Sequence, residues 1–473
     1  MSSSKKMTIQ NFYISHVCDK NETYAEMISL QTDINYWTKK DEHIIINNQI
    51  IKTNTYNFFP IILNNDGSPW IHSTLFIIDK AKKDFNYNPS TYHCIISDLT
   101  NFKKFIDDNS IDLYDFPEQK LLRPTYKYRN YLATLIQNGK LSSQTVKRRV
   151  STMISFYRFL IRDDIFVPKH NPWSETDIYV NSFDKVGYKH KIKRTKTDLA
   201  IKVPSEINPF SDKIYDEGRL RPLEIEEQTI LIDILIKLQN TEMLLIHLIG
   251  LFTGARIQTV LTLKKSIFLD SSDTLNSEIR ILTGANTDID TKNNKSIVLV
   301  MPKWLYDMVR TYKNSDRALK RRNKTNCIIS KEYLFLSNRG VPYYLRRMHL
   351  ESQYLDNNIN TLHNGEAVRQ FIKNRVIPLM REKLKNSCYT YKYHDLRATF
   401  GMNLTSSLLV NVNKGKISLH DAREYVKNRM GHSSSTTTDL YLNYRSNLSN
   451  YKSYQEEYEL YLQELIKNLR NKS

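Results

Sequence analysis

Hydrophobic patterning divides the chain into stretches of different character. In roughly the first 80 residues, β-branched and aromatic runs, HIIINNQIIKT from His43 and TYNFFPIIL from Thr55, lie between Asn and Asp residues. They predict short strands and loops. From about Ser90 the apolar spacing becomes helical, in STYHCIISDLTNFKKFI, in YKYRNYLATLI and, after a turn at Gly139, in LSSQTVKRRVSTMISFYRFLI. In the last of these, Val146, Val150, Met153, Ile154, Tyr157, Leu160 and Ile161 share one face, and Lys147, Arg148, Arg149, Arg158 and Arg162 leave on the others. Residues 181–216 are basic and poorly apolar, with Pro204 and Pro209 interrupting any helix, and read as a linker. A second compact pattern starts near Leu220 with the helical runs EIEEQTILIDILIKL and TEMLLIHLIGLF. Two strands follow, EIRIL from Glu278 and SIVLVM from Ser296. The rest is helical except for YLFLSNRGVP near Gly340, a strand or turn. Near the end, Tyr454, Tyr458, Tyr461, Leu462, Leu465 and Leu469 mark one stripe of an amphipathic helix over residues 451–469. The expected fold is mainly α with a small β-sheet. Its expected divisions are an extension (1–84) of unassigned role that contains β structure, a helical unit (85–180), a basic linker (181–219) and a mixed α/β unit (220–473).

Composition narrows the functional classes. A chain of 473 residues, 40% of them hydrophobic, can bury more than one core. Its net charge is +19, from 69 Lys and Arg against 50 Asp and Glu, which fits a polyanionic partner such as nucleic acid. An AT-rich genome, whose codons favour Lys, Asn and Ile, would also produce a basic chain. The four cysteines, Cys18, Cys94, Cys327 and Cys388, form no CxxC pair and have no histidine at metal-ligand spacing. They fit a reducing compartment. MSSSKKMTIQ lacks the apolar core of a signal peptide, and the longest apolar stretch, Met243 to Phe252, is interrupted by His247 and too short for a bilayer. The expectation is a soluble, cytoplasmic protein without membrane contact.

Four segments of the second unit carry candidate chemistry. In TGARIQTVLTL, Arg256 follows a glycine turn. TKNNKS bears Lys292 and Lys295 between the two strands. YHDLRATF puts His394 and Arg397 one helical turn apart, and MGHSSSTTTDLYLNY holds His432 and Tyr441. The helix SLHDAREYVKNRM has a capping box in Ser418 and Asp421, and Gly431 suits a left-handed C-terminal position, so His432 leaves at a sharp turn before the helix bearing Tyr441. Each piece alone has an ordinary structural reading: a surface arginine, a hydrogen-bonded His–Arg pair, one core tyrosine among 30. The ordered combination is what chance would rarely produce.

That order (Arg, Lys, His-x-x-Arg, Gly-His, Tyr) resembles the tyrosine recombinase, or phage integrase, family over about Leu220 to Tyr444. TGAR is similar to the family's first arginine motif, HDLRATF to its HxLR box, and GHSSSTTTDLY to its LGHSS box with the tyrosine at family spacing. A weaker pattern through Leu141, Ser142, Thr145, Val146, Arg149 and Phe156–Leu160 resembles the helical core-binding domain. Two features depart from the family. Thr259 stands where an acid is common, and the hairpin is longer than usual, so that Lys292 is the better match to the family lysine and Lys295 the second.

The resemblance implies a site-specific enzyme that cuts and rejoins double-stranded DNA through a 3′-phosphotyrosyl bond at Tyr441, for integration, excision or transposition of a mobile element. Arg256 and Arg397 would clamp the phosphate, Lys292 would protonate the leaving 5′-oxygen, His394 would assist proton transfer, and His432 would bond a phosphate oxygen. It also implies a homo-tetramer on two DNA sites, with the C-terminal helix docking on a neighbouring subunit. The residues hold no GxxxxGK[ST] loop and no two-metal carboxylate cluster, so neither a metal nor any other cofactor is expected. Lys147, Arg148, Arg149 and Arg158 are candidate DNA contacts, since their helix holds no balancing acid before Asp163. A type IB topoisomerase-like enzyme and a DNA-binding relative without catalysis are the competing readings.

Overall fold

The computed structural model describes residues 4–17, 38–40, 43–46, 49–84, 87–183, 188–201, 213–216, 218–270, 277–351, 362–444, 459–460 and 462–463. The chain divides into two compact units, Met1–Glu206 with Asn360–Leu362, and Ile207–Ile359 with His363–Ser473. The architecture is mainly helical with small antiparallel sheets, as the patterning predicts.

In the first unit, strands β1 (Lys5–Val17), β2 (Thr38–Lys40), β3 (His43–Ile46) and β4 (Gln49–Leu63) form an antiparallel sheet of order β1-β4-β3-β2. Lys5 stands opposite Leu63 and Val17 opposite Ile51. Four helices follow: α1 (Ile71–Lys83), α2 (Pro89–Asp108), α3 (Pro124–Gln137) and α4 (Ser143–Arg162). The end of β4 buries Tyr56, Phe59, Ile61 and Ile62 in the same core as Phe76 of α1, Phe102 of α2, Tyr128 of α3, and Phe156 and Tyr157 of α4. The segment read as an extension therefore shares one core with the helices. In α4, capped by Ser142 onto the Thr145 amide, the predicted face is buried except Ile161, which is half-buried.

The basic stretch after α4 is not structureless. Strand β5 (Glu175–Phe183) pairs with β6 (Lys189–Thr197), Glu175 opposite Thr197 and Phe183 opposite Lys189, and β6 is exposed from Lys189 to Lys196. Periodicity does not reveal this ribbon, because a polar run with isolated apolar residues fits an exposed connection and a two-stranded ribbon with two wet faces equally well.

The second unit opens with a hairpin of two-residue strands, β7 (Ile214–Tyr215) and β8 (Arg219–Leu220), then helices α5 (Ile225–Lys237) and α6 (Thr241–Thr253). Helix α6 is apolar nearly all round and correspondingly buried. His247, which interrupts it, is a core residue: its ring bonds the Met243 carbonyl at 2.6 Å and the Tyr391 hydroxyl at 3.1 Å, and burial lowers its pKa to about 4. After the short α7 (Ile257–Leu261), β9 (Glu278–Thr283) and β10 (Ile297–Pro302) pair antiparallel as predicted. The helices that matter most for the site are α8 (Tyr393–Asn413) and α9 (Leu419–Met430), with a final helical stretch over 435–444. Tyr393 of α8 donates to the Ile246 carbonyl at 2.8 Å beside Gly250, where a Cβ would strike the Tyr393 ring; this close approach brings the TGAR and HDLR segments together. Among the described residues, no helix is long and apolar enough to cross a membrane. The amphipathic helix expected over 451–469 lies outside the described residues, apart from four helical positions at 459–460 and 462–463.

Candidate active site

The site grows from three helix ends. Helix α6 stops at Gly254, whose φ of 67° is the left-handed conformation that glycine adopts without strain. The reversal makes Arg256 the N-cap residue of α7, half-buried, and leaves the Gly254 carbonyl to accept from Arg397 Nη1 at 2.9 Å. Arg397 lies one turn into α8, almost fully buried, and its Nη2 donates to the Met430 carbonyl at 2.5 Å. His394 precedes it by a turn and is half-buried. Helix α9 has the predicted capping box between Ser418 and Asp421, and ends at Gly431 with a φ of 63°. His432 comes next, its Nδ1 3.0 Å from Thr438 Oγ1 in the final helical stretch, and its ring stacked at 5.7 Å on that of Tyr441. Gly401 of α8 makes room for the phenol: a Cβ there would lie 2.7 Å from Tyr441 Cε1.

These groups meet on a residue that no sequence motif marks. Asp216, at the turn between β7 and β8, is buried, and its Oδ2 accepts from Tyr441 Oη at 2.9 Å and from Arg397 Nε at 3.3 Å, with His432 Nε2 at 3.2 Å. Burial alone would raise its pKa, but the His432 hydrogen bond and the Arg397 charge outweigh it and hold the carboxyl far below the usual carboxylate range. The Tyr441 phenol is fully buried. Burial first, and the Asp216 charge second, push it well above the ordinary tyrosine range, although Arg397 and Arg256 pull the other way. Neighbouring residues of the hairpin and the chain beyond it hold Asp216 in place. Ile214 and Leu220 pack in a small cluster with Phe400, Met430 and Tyr441, while the Arg221 amide donates to Asp395 Oδ1 at 3.0 Å and the Leu223 amide to Thr399 Oγ1 at 2.9 Å, both acceptors on α8.

The two lysines differ in setting. Both are exposed, Lys292 on a 3-10 turn and Lys295 at its end, and Lys295 Nζ donates to the Gly431 carbonyl at 2.8 Å, next to His432. Gly284, at a φ of 96°, lets the Lys295 carbonyl press against it, and Thr291 Oγ1 donates to that carbonyl at 2.6 Å. In the first unit, the candidate DNA contacts have acidic neighbours that helix periodicity could not reveal. Arg148 makes a two-pronged pair with Asp98 of α2, at 2.8 and 2.9 Å, and Arg149 lies 3.8 Å from the same carboxylate. Arg158 pairs with Glu175 at 2.6 Å. Lys147 is exposed at the edge of a 330 Å³ groove floored by Val150, Ile154, Thr195 and Thr197.

Comparison with known proteins finds one stretch of the chain similar to a tyrosine recombinase. No family model matches the chain. One curated protein it resembles is the tyrosine recombinase XerC of Listeria monocytogenes, 30% identical over 98 residues; these are 20% of this chain and 29% of that protein, so the match spans under a third of its length. Among solved structures, the XerH site-specific recombinase bound to palindromic difH substrate aligns with a TM-score of 0.45 at 16% identity, covering 81% of this chain and 85% of its own. A Tn1549 transposon integrase in complex with circular intermediate DNA gives 0.41 at 15%, covering 78% and 94%. A lambda integrase dimer bound to a core site gives 0.40 at 13%, with the same coverage.

Proposed function

We propose that the chain is a tyrosine site-specific recombinase that cuts and rejoins double-stranded DNA, with Tyr441 as nucleophile. The observation that carries this reading is the convergence of a guanidinium, an imidazole and a phenol on one anionic oxygen, that of Asp216. A non-bridging phosphate oxygen in that position would meet the same partners.

Arg397, through the Nε that faces Asp216 in the free protein, and Arg256 neutralise the phosphate, whose equatorial charge rises in the transition state. Tyr441 Oη attacks phosphorus and loses its proton through His394. The bond to the 5′-oxygen breaks, and a lysine ammonium returns a proton to that oxygen, leaving a 3′-phosphotyrosyl bond and a free 5′-hydroxyl. Because one phosphodiester-like bond replaces another, a second 5′-hydroxyl can reverse the step with no external energy. Lys295 is better suited than Lys292 to the proton delivery, since its ammonium already reaches the turn that carries His432. Lys147 and the exposed ribbon β5–β6 supply phosphate contacts, and four subunits on two DNA sites exchange the strands.

The test is covalent trapping. The full chain is incubated with a pool of nicked duplexes of randomised sequence, in which cleavage releases a short 5′-hydroxyl fragment, and adducts are recovered under denaturing conditions. Wild type forms a protein–DNA adduct and Tyr441→Phe forms none. An equal yield from Tyr441→Phe would remove the assignment.

A further inference from the structure

We infer that the free protein is self-inhibited: the Asp216 carboxylate occupies the seat of the scissile phosphate, and the β7–β8 hairpin must withdraw it before Tyr441 can act. The inference rests on the proposed reading of the site and adds its regulation.

Each Arg397 nitrogen is engaged, Nη1 and Nη2 with the carbonyls of Gly254 and Met430 and Nε with Asp216. The two carbonyls end helices and belong to the frame of the site. Asp216 is the one anion of the three, and it comes from a turn. A phosphate and a carboxylate cannot both sit a few ångströms apart against the same guanidinium, because like charges at that distance repel strongly in a buried setting. The two are therefore alternative occupants. The nucleophile is shut in by the same contact: Tyr441 has no exposed surface, and its hydroxyl points at Asp216.

The hairpin's own ladder is short, and its hold on the site is the packing of Ile214 and Leu220 against Phe400, Met430 and Tyr441, so withdrawal of Asp216 must unseat Ile214. The ladder consists of two residue pairs, Ile214 with Leu220 and Tyr215 with Arg219, closed by the Asp216 amide on the Gly218 carbonyl at 3.1 Å. Beyond it the chain is anchored to α8 through Arg221 and Leu223, so withdrawal pivots at Leu220 while the frame of the site stays in place. Asp216 is poorly suited to the alternative role of general base. Arg397 and His432 stabilise its ionised form, which makes it reluctant to accept the Tyr441 proton, and its charge disfavours the phenolate.

The test uses full-length wild type, Asp216→Ala and Asp216→Asn, with inorganic phosphate as one probe and the nicked-duplex pool as the other. Removing the competing charge tightens phosphate binding by about tenfold or more, read by calorimetry and by a phosphate-dependent rise in melting temperature, and adding Arg397→Ala cancels the gain. The same two variants form the DNA adduct faster than wild type. Asp216→Asn keeps the side chain's size and much of its hydrogen bonding, and carries the test if the alanine variant does not fold. If both variants unfold, the carboxylate is a structural strut and the inference is overturned. Phosphate affinity equal to wild type, or slower adduct formation in a folded variant, overturns it as well. A gain in phosphate binding with no adduct from any protein supports the occupied seat while removing the recombinase reading. Adduct formation as fast in wild type as in Asp216→Asn removes the inhibition and leaves the recombinase intact.

Discussion

Asp216 and Gly401 set the environment of Tyr441 from opposite sides, one by charge and one by the absence of a side chain. The Asp216 pKa is depressed in the fold, so its contribution to stability is present above the unfolded value of 3.8 and is lost as pH falls through the lower folded value. Urea titrations at a series of pH values should show Asp216→Asn differing from wild type across neutral pH, with the difference shrinking only below about pH 4. At Gly401 there is no room for a methyl group between Tyr441 and Met430. Gly401→Ala should cost about 1–3 kcal/mol in urea denaturation and lower the yield of DNA adduct, because the phenol must move. Arg397, His432 and Tyr441, which the structure brings together, stood out in the sequence as candidates because each sits in a local motif. Asp216 did not, since its partners lie 181, 216 and 225 residues away.

At the scale of elements, the β9–β10 turn favours Lys295, where the motif pattern made Lys292 the better match. Folding the turn on Gly284 sends Lys295 towards the Gly431 carbonyl. A proton donor for the leaving oxygen becomes dispensable when that oxygen is replaced by sulfur, whose anion leaves unaided. Lys295→Ala should therefore cleave ordinary DNA slowly and a 5′-bridging phosphorothiolate at close to the wild-type rate, while Lys292→Ala cleaves both normally; the reverse pattern would return the role to Lys292. The β5–β6 pair is a two-stranded ribbon, a kind of element that a DNA major groove admits. Replacing Lys189, Lys191 and Arg194 by Ala should weaken DNA binding and flatten its salt dependence by about 0.9 log units per log unit of salt for each lost phosphate contact.

Over the whole molecule, the net +19 already counts Asp98 and Glu175; their pairing with arginines of α4, which the helix by itself leaves unbalanced, lowers the local charge of that face without changing the total. Affinity for duplex DNA measured by fluorescence anisotropy should still fall steeply between low and physiological salt. A flat response would remove the basic face from the proposed function. The first unit also shows the reach of a shared core: the aromatic end of β4 and the helical faces, read separately as an extension and a bundle, are one hydrophobic interior.

The sequence by itself determined the helical and strand periods, the glycine turns and the candidate residues, because these depend on neighbours within a few positions. The tertiary structure alone put Lys295 on the Gly431 carbonyl, chose which acids balance the arginines, and set a buried carboxylate on the tyrosine. Those outcomes depend on charges brought together from distant parts of the chain, where burial makes their interactions strong enough to matter.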